Sequence, residues 1–205
     1  GHRQLSTCFQ TVNYHSFNKK KPSLDPENLS NYRPISNLSF LSKLTEKVVK
    51  DRLQDHLTNN TLFNQFQSAY TKFHSTETVL LCLQDHLIRA MASQQITCSC
   101  LLDLSAAFDT IDHTILLTRL TDWFGISGTV HNWFESYLTS RAFSVSISDN
   151  KSTSTKLDCG VPQGSVLGPL LFIMYTTPLS SLLTSTSVSH HLYANDTQLF
   201  ISFSP

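Results

Sequence analysis

The sequence lacks an excess of charge of either sign, because its 205 residues carry 15 lysines and arginines against 15 aspartates and glutamates. A strongly basic balance, the usual global sign of a nucleic-acid-binding domain, is therefore missing. No apolar run reaches the roughly 18 residues that a membrane-spanning helix needs, and the first residues show no signal-peptide pattern. These absences predict a chain that is not inserted in a membrane, and they leave any nucleic-acid contact to local features.

The five cysteines also lack an informative pattern, since no pair has the spacing of zinc ligands. Their odd number in a chain of this length argues against a disulfide scaffold, and reduced thiols in an intracellular protein fit better. Cys98 and Cys100 fall in an apolar, β-branched run that predicts a buried strand. His190 and His191 are the only adjacent histidines, and a strand or loop position is favoured over metal ligation.

What the sequence does contain is a 40% hydrophobic fraction, enough for a sizeable core, and a regular order of elements. Residues 1–30 are polar and rich in turn residues, so an irregular lead-in is predicted. Periodicity and capping residues predict helices that begin near Ser39, span 75–92, follow Asp112 until Gly125, span 129–138 and span 165–183. Strands are predicted over 96–104, 142–148, 153–157 and on both sides of 194–195. This order predicts an α+β domain with a small antiparallel sheet backed by helices.

Two details of the helices are also predicted. In the first helix, five apolar residues recur at near-helical spacing and define the expected buried face: Leu41, Leu44, Val48, Leu53 and Leu57. Glu46 and Lys50 have the i,i+4 spacing of a favourable pair on a helix surface. The aromatic residues of the fourth helix, Trp133, Phe134 and Tyr137, have a spacing more typical of a core than of a base-stacking platform.

Five motifs follow one another along the chain: residues 31–36 (NYRPIS), 67–78 (QSAYTKFHSTET), 101–113 (LLDLSAAFDTIDH), 160–172 (GVPQGSVLGPLLF) and 192–199 (LYANDTQL). In order and spacing, from about Lys19 to Phe203, they resemble the reverse transcriptases of non-LTR (LINE-type) retrotransposons. The resemblance implies a polymerase right hand, with a fingers-like region over 31–95 and a palm-like region over 96–205. The thumb is expected to be absent, and the chain, from Gly1 to Pro205, is expected to be a fragment or a truncated copy.

Polymerases join nucleotides by in-line attack of a primer 3′-hydroxyl on an α-phosphate, assisted by two divalent ions about 3.5–4 Å apart. Mg²⁺ prefers oxygen ligands such as carboxylates. The resemblance implies that Asp103, the backbone carbonyl of Leu104, and Asp196 bind Mg²⁺, or Mn²⁺ in its place. By itself Asp103 could equally end a strand or cap a helix. Asp109 and Asp112 are rivals by spacing alone, but the family pattern assigns the metal to Asp103.

The catalytic box departs from the family at its first acidic position, which is Asn195. A neutral amide oxygen contributes no charge to hold Mg²⁺, so weakened metal binding is expected. Family members commonly have an arginine where this chain has Thr71, and a threonine cannot grip a phosphate with two parallel hydrogen bonds. Lys72 could compensate as a point charge.

The resemblance also implies a nucleotide site. An aromatic residue at Phe108 would lie beneath the sugar and exclude a 2′-hydroxyl, although an ordinary core phenylalanine is the alternative. Gln163 and Gly164 are expected near template and nucleotide, since glycine lets the backbone come close to a ligand. Taken alone, this motif is only a turn, and no Gly-Lys-Ser/Thr follows to make it a P-loop. Lys72 and Arg33 are the fingers candidates.

The predicted function is therefore an RNA-directed DNA polymerase by descent, impaired by Asn195 and by truncation, with an RNA template, a DNA primer and deoxynucleotides as partners. An intracellular location, in cytoplasm and nucleus, is implied by the family. The basic run Lys19–Lys21 could follow a phosphate backbone or form a solvated face. A non-catalytic nucleic-acid-binding remnant is the alternative function, and a reading frame without any function is a third possibility.

Overall fold

The computed structural model describes residues 11–15, 18–19, 32–33, 36–139, 141–147, 150–186 and 188–205. The helices in this part are α1 (Phe40–Asn59), α2 (Thr76–Ala92), α3 (His113–Asp122), α4 (Gly128–Leu138) and α5 (Gly168–Ser185). The strands are β1 (Thr11–His15), β2 (Asn18–Lys19), β3 (Tyr32–Arg33), β4 (Ser36–Asn37), β5 (Ile96–Asp103), β6 (Arg141–Ile147), β7 (Asn150–Lys151), β8 (Thr155–Leu157), β9 (Ser189–Tyr193) and β10 (Asp196–Phe203). Among these helices, none combines the length and the apolar character that crossing a membrane requires.

The helix starts follow from capping side chains, as the sequence predicts. The Ser39 hydroxyl accepts from the backbone N–H of Ser42, and the Asp112 carboxylate accepts from that of Ile115. Ser75 forms a reciprocal capping box with Thr78. Each cap satisfies an N–H group that has no partner within its own helix. Helix α5 begins three residues later than predicted, because a turn occupies the residues before it.

Two sheets dominate the described part. The antiparallel sheet β5–β10–β9 is the small sheet that the sequence predicts, and it carries the last motif. The other sheet has the order β4–β1–β6–β7, and β8 pairs with β6. Strand β1 lies within the stretch predicted to be irregular and pairs in parallel with β6. Its partner is remote in the sequence, so the local composition carries no signal for it. The lysine run at 20–21 and the turn residues of 20–31 lie outside the described residues.

The hydrophobic core lies between α3, α4, α5 and the second half of α1. Its fully buried members come from all four helices and from the loops that join them: Leu57, Ile111, Leu116, Leu120, Phe134, Leu138, Leu167 and Leu171. Phe134 and Tyr137 are buried and Trp133 packs against them, as the core interpretation of these aromatic residues predicts. This core supports α5, whose N-terminal end leads back to the motif at 160–172.

The first half of α1 contradicts the predicted burial. Leu41, Leu44 and Val48 are exposed, whereas Ser42 and Glu46 are buried. Glu46 accepts hydrogen bonds from the hydroxyl of Tyr137 and from the backbone N–H groups of Val166 and Leu167, at 3.0, 2.6 and 3.4 Å. The expected surface pair with Lys50 is therefore wrong, because the carboxylate points into the molecule. The hydrogen bonds that Glu46 accepts from α4 and from the residues before α5 therefore decide which face of α1 is buried, and the spacing of its apolar residues does not.

Strand β5 contradicts a second prediction, because nearly all of its side chains are exposed rather than buried. It is an edge strand that pairs only with β10 among the described residues. Cys98 and Cys100 are consequently exposed, as are Cys82 and Cys159, and all four are free thiols.

Candidate active site

The last motif forms a tight hairpin, with Tyr193 pairing directly with Asp196 across a two-residue turn. Ala194, the first turn residue, has a φ of 53°, while Asn195 is not among the residues with positive φ. A positive φ at the first central position alone is the signature of a type II′ turn, whose twist suits a hairpin. The turn therefore presents Asn195 and Asp196 at the tip of the sheet.

Asp103 and Asp196 face each other across β5 and β10. The backbone N–H of Leu104 donates to the carbonyl of Asn195 at 3.0 Å, so the hydrogen bonds flank the pair and do not join it. In such a pair the side chains are closest, with Cβ atoms about 4.5–5.5 Å apart. Like charges at this distance repel one another, and a bound cation would relieve the repulsion. The predicted ligands Asp103 and Asp196 are thus brought together.

Asn195 joins this pair in a way that the sequence does not show. Its Nδ2 donates to Oδ1 of Asp103 at 2.5 Å. The amide therefore satisfies an oxygen that a metal would otherwise use, through a charge-assisted hydrogen bond. The carboxylate oxygens of Asp103 and Asp196 fit a hard divalent cation. Within the described residues, however, no group of three or more histidine, cysteine or acidic side chains could hold a metal ion.

Two backbone hydrogen bonds join the loop that follows β5 to the loop before α5. The backbone N–H of Val161 donates to the carbonyl of Phe108 at 2.8 Å, and that of Gly160 donates to Ile111 at 2.7 Å. At Gly160, where φ is 85°, an added Cβ would lie only 2.9 Å from the carbonyl oxygen of Asp109. A residue with a side chain would therefore push the two loops apart. The motifs at 101–113 and 160–172 form one surface next to the hairpin.

Gln163 is fixed by three contacts. Its Nε2 donates to the carboxylate of Asp109 at 2.9 Å, and its carbonyl accepts from the N–H of Ser36 in β4 at 3.0 Å. It also occupies a turn that Ser165 N–H closes onto the carbonyl of Pro162 at 3.1 Å. Gly164 has a φ of 89°, as the third position of a type II turn requires. The turn interpretation of this motif is confirmed, and its contact with β4 ties it to a second sheet.

Asp109 is the acidic group that this loop partly encloses. Half-burial raises the pKa of the Asp109 carboxyl, and the hydrogen bond from Gln163 partly offsets the rise. The carboxylate thus serves as an acceptor within the loop, on a different residue from the pair at 103 and 196. The contact gives Asp109 a structural partner in its own loop, and the assignment of the metal to Asp103 stays a prediction.

Phe108 is partly buried, and its ring lies 5.3 Å from that of Phe172 in α5. One side of the ring therefore contacts the core, which gives the core interpretation a definite contact. Its backbone carbonyl is the one that Val161 contacts, so its place in the loop is fixed. The role of Phe108 beneath a nucleotide sugar stays a prediction.

The fingers candidates are distributed unequally. Lys72 is exposed on the loop before α2, and its ammonium lies 4.8 Å above the ring of Phe73. Thr71 uses its hydroxyl to donate to the carbonyls of Gln67 and Ala69, so it stabilises its own loop. Arg33 lies in β3, opposite Asn18, and its side chain is outside the described part. Of these two cations, only the Lys72 side chain is described, and it has no hydrogen bond or ion pair with Asp103 or Asp196 in the described part of the chain.

Two residues that the sequence did not single out contribute to the site. Gln67 is buried and contacts the backbone of Ala194 in the catalytic turn. Glu46 accepts from two N–H groups directly before α5. Gln67 opens one of the five motifs, which is a local signal, but nothing in the sequence connects it to a turn so far along the chain. Glu46 could have been found only from its helical alignment with Ser42 and Leu53.

Comparison with known proteins agrees with this geometry. The family model described as reverse transcriptase (RNA-dependent DNA polymerase) matches residues 18–204. The chain is 34% identical over 159 residues to a probable RNA-directed DNA polymerase from transposon BS of Drosophila melanogaster, a match that covers 78% of the chain and 17% of that protein. It is 30% identical over 159 residues to the RNA-directed DNA polymerase from mobile element jockey of Drosophila funebris, with the same coverage.

Solved structures show the same fold. An apo telomerase from Candida tropicalis superimposes with a TM-score of 0.65 at 13% identity, over 94% of this chain and 44% of that one. The chain spans 17% of the length of the transposon polymerases named above. These matches agree with the facing carboxylates and with the hydrogen-bonded loops beside them. The chain therefore belongs to the reverse transcriptase family, among its LINE-type retrotransposon members.

Proposed function

We propose that this chain is the palm and fingers part of an RNA-directed DNA polymerase, which extends a DNA primer along an RNA template with deoxynucleotides. The observation that best supports this proposal is the cross-strand pair of Asp103 and Asp196 at the hairpin tip. The loops joined by Asp109 and Gln163 form the adjoining surface. We also propose an intracellular location, in cytoplasm and nucleus, which follows from the family.

The carboxylates of Asp103 and Asp196, with the backbone carbonyl of Leu104, would hold Mg²⁺, and two ions are expected. When bound, such ions stabilise charge on the attacking and leaving oxygens of an in-line phosphoryl transfer. The task of the protein is to hold those oxygens in a fixed geometry, and the hairpin does so through paired backbone. Asn195 weakens the site, because its amide donates to the ligand Asp103 and adds no negative charge.

The nucleotide would lie on the surface formed by the loops around Phe108 and Gln163. Gly164 has no side chain and is exposed, so a base or sugar can approach its backbone closely. Lys72 and Arg33 would approach the triphosphate from the fingers, where a lysine acts as a point charge. Phe108 would exclude the 2′-hydroxyl of a ribonucleotide.

Primer extension on an RNA template tests the proposal, with Mg²⁺ and Mn²⁺ in parallel. Because the chain covers a small part of its relatives, the assay uses this chain joined to the remaining polymerase parts of an active relative. Asp103→Asn and Asp196→Asn should abolish extension, whereas Asp122→Asn, on the exposed end of α3, should leave it unchanged. Asn195→Asp should raise the rate by about 10³-fold, since electrostatic positioning is usually the largest catalytic term. Equal rates with Asn195 and with the restored acid would show that the amide does not impair the site.

A second function, a nucleic-acid-binding remnant without catalysis, is favoured by the contact between Asn195 and Asp103. That contact keeps the pair together without any metal. The two functions separate on one comparison. A protein that binds an RNA–DNA hybrid but extends no primer, even after Asn195→Asp, is the remnant and not the polymerase.

A further inference from the structure

Gln67 is the only side chain outside the last two strands that hydrogen-bonds the backbone of the catalytic turn, among the described residues. Its Oε1 accepts from the backbone N–H of Ala194 at 3.1 Å and from that of Ala69 at 2.9 Å. Its Nε2 donates to the carbonyl of Ala194 at 3.5 Å. One carboxamide thus contacts both polar backbone groups of the same turn residue, and it does so from a side chain that is 6% exposed.

We propose that Gln67 is a positioning residue for the metal site: its carboxamide fixes the Ala194–Asn195 turn and thereby the direction of the side chains at 195 and 196. This role rests on the proposed polymerase function of that turn. Ala194 has a φ of 53°, a left-handed conformation that an alanine adopts at a steric cost. Two hydrogen bonds from Gln67 to its peptide groups hold that conformation, where many turns would use glycine.

Backbone hydrogen bonds on both sides of Gln67 tie its segment to β9 independently of its side chain. The N–H of Ser68 donates to the carbonyl of Leu192 at 3.0 Å, and the N–H of Leu192 donates to the carbonyl of Phe66 at 2.8 Å. These bonds form a short parallel bridge to β9, and the Ser68 hydroxyl also bonds His191 at 2.9 Å. The bridge ends at Leu192, so only the Gln67 side chain reaches the turn itself. Removing the carboxamide should loosen the turn and leave the bridge intact.

The same residue connects the metal turn to the fingers. The carbonyl of Gln67 accepts from the Thr71 hydroxyl at 3.5 Å, and Lys72 follows immediately in that loop. A carboxamide can donate and accept at once, and it brings no charge next to Asp103 and Asp196. A glutamate could accept but not donate, and it would add a carboxylate near the site. The chemistry of the two contacts therefore calls for glutamine.

The test uses the 205-residue chain, both with Asn195 and with Asn195→Asp. Gln67→Met keeps the length of the side chain and removes both hydrogen bonds to Ala194 as well as the one from the Ala69 N–H. Gln67→Asn keeps the carboxamide but is too short to reach the turn. Gln65→Met, at an exposed position two residues earlier, is the matched control. Two quantities are measured: the hydrogen-exchange rate of the Ala194 amide relative to that of Leu192, and the affinity for Mn²⁺.

In both Gln67 variants the Ala194 amide should exchange about fivefold faster or more, as the loss of one typical hydrogen bond predicts, while Leu192 stays protected. Mn²⁺ affinity should fall by a similar factor, and Gln65→Met should change neither quantity. Unchanged exchange at Ala194 would show that Gln67 does not hold the turn. Faster exchange with unchanged Mn²⁺ affinity would show that the turn conformation does not matter for the metal.

Failure of the proposed function gives a different result. If neither the original chain nor Asn195→Asp binds Mn²⁺, the metal site itself is wrong and the metal role of Gln67 is overturned with it. The exchange rates then still decide whether Gln67 holds the turn. If Gln67→Met does not fold, Gln67→Asn, with a smaller and still polar side chain, supplies the same comparison.

Discussion

Asn195 shows how one atom can change what a pair of carboxylates does. An aspartate in its place would add a third negative charge beside Asp103 and Asp196, and like charges on neighbouring strands repel. The amide of Asn195 instead donates to Asp103 at 2.5 Å. Without a metal, the site therefore has less electrostatic repulsion with Asn195 than it would have with an aspartate at this position. Asn195 thus stabilises the metal-free pair through its hydrogen bond to Asp103, and its effect on metal affinity stays a prediction.

Asn195→Asp should make the stability of the chain depend on divalent ions. In a chelator the variant loses a charge-assisted hydrogen bond and gains a repulsion, so its free energy of unfolding should fall, by about 1 kcal/mol or less because the groups are exposed to water. Added Mg²⁺ should restore it, because a ligand that binds only the folded state stabilises that state. Thermal unfolding with and without Mg²⁺ measures this. Asn132→Asp, on the exposed face of α4, is the control and should respond to neither condition.

Phe108→Val tests whether the aromatic ring selects the sugar. If the ring lies beneath the deoxyribose, the smaller side chain should raise ribonucleotide incorporation relative to deoxynucleotide incorporation by tenfold or more, which is about 1.4 kcal/mol of lost discrimination. The ratio is measured in the extended polymerase with each nucleotide in turn. A ratio that does not move, together with a lower melting temperature, would make Phe108 a core residue that packs on Phe172.

Asp109 should make the fold slightly less stable as the pH rises. Half-burial raises its folded-state pKa above the ordinary 3.8, so the folded state holds the proton more tightly than the unfolded state. Its contribution to stability is therefore full below 3.8 and is lost as the pH rises through the raised folded value. Asp109→Asn keeps an acceptor for Gln163 and should gain stability relative to the original chain between pH 3.5 and 7.

The expected gain is less than about 1 kcal/mol, since a half-exposed group is screened by water. Chemical unfolding at several pH values measures it, and Asp122→Asn controls for the loss of one charge. A stability difference between Asp109→Asn and the original chain that stays constant from pH 3.5 to 7 would contradict the prediction.

At the scale of secondary-structure elements, the helix ends were predictable and the buried face of α1 was not. Caps such as Ser39, Ser75 and Asp112 act on the next three residues, so they can be recognised locally. The inward direction of Glu46 depends on Tyr137 and on Val166, which follow it at long range. Strand β5 has the composition of a buried strand, but its exposure depends on which elements pair with it. The sequence therefore shows the local capping interactions, but it does not show the long-range contacts that decide which side chains are buried.

The Glu46 contact should be a strong stabilising link between α1, α4 and α5. Burial and the neighbouring Glu46 charge raise the pKa of Tyr137, so its hydroxyl remains a donor. Arg141 lies 5.0 Å above the Tyr137 ring and is buried without a hydrogen-bond partner for its guanidinium. Glu46→Ala would remove the acceptor of the Tyr137 hydroxyl and of the backbone N–H groups of Val166 and Leu167.

Glu46→Ala should therefore cost about 3–5 kcal/mol of unfolding free energy, because each buried donor that loses its acceptor costs about 1–3 kcal/mol. Tyr137→Phe, which leaves Val166 bonded, should cost about 1 kcal/mol. Asp51→Ala, on the exposed face of the same helix, should change stability by less than about 0.5 kcal/mol. Urea unfolding measures all three. Equal values for Glu46→Ala and Asp51→Ala would show that the buried contacts contribute nothing.

The candidate site likewise combines features that could be predicted from the sequence with contacts that could not. The motifs predict that Asp103 and Asp196 meet, and the structure pairs them across β5 and β10, because each motif places its residue at a strand end. The hydrogen bond from Asn195 to Asp103 could not be predicted, since an amide at that position suggests only a missing charge. The contact of Gln67 with Ala194 joins two motifs through a side chain, and no spacing rule relates them.

For the molecule as a whole, the exposed side of the β5–β10–β9 sheet should govern its behaviour in solution. Ile96, Ile201 and Phe203 share one face of this sheet and are 52%, 48% and 48% exposed, and Leu101, on the opposite face, is 71% exposed. Strand β5 offers an unpaired edge among the described residues. Apolar patches and open edges promote association. The isolated chain should therefore self-associate at micromolar concentration, as light scattering coupled to size-exclusion chromatography would show.

Leu101→Lys should shift the chain toward the monomer, because a lysine on an edge strand disfavours pairing with another copy. Leu182→Lys, an equally exposed leucine on α5 at 62% exposure, is the matched control and should have little effect. A monomer at all concentrations before any substitution would contradict the expectation.

The parallel pairing of β1 with β6 determines when the chain can fold during its synthesis. Thr11 pairs with Ala142, so this sheet closes a loop of about 130 residues, and such remote contacts slow folding. During synthesis, β1 must remain unpaired until β6 has emerged from the ribosome, long after α1 and α2 are complete. Through this wait its unpaired backbone is available to chaperones, so translation rate should influence how much of the chain reaches its native form.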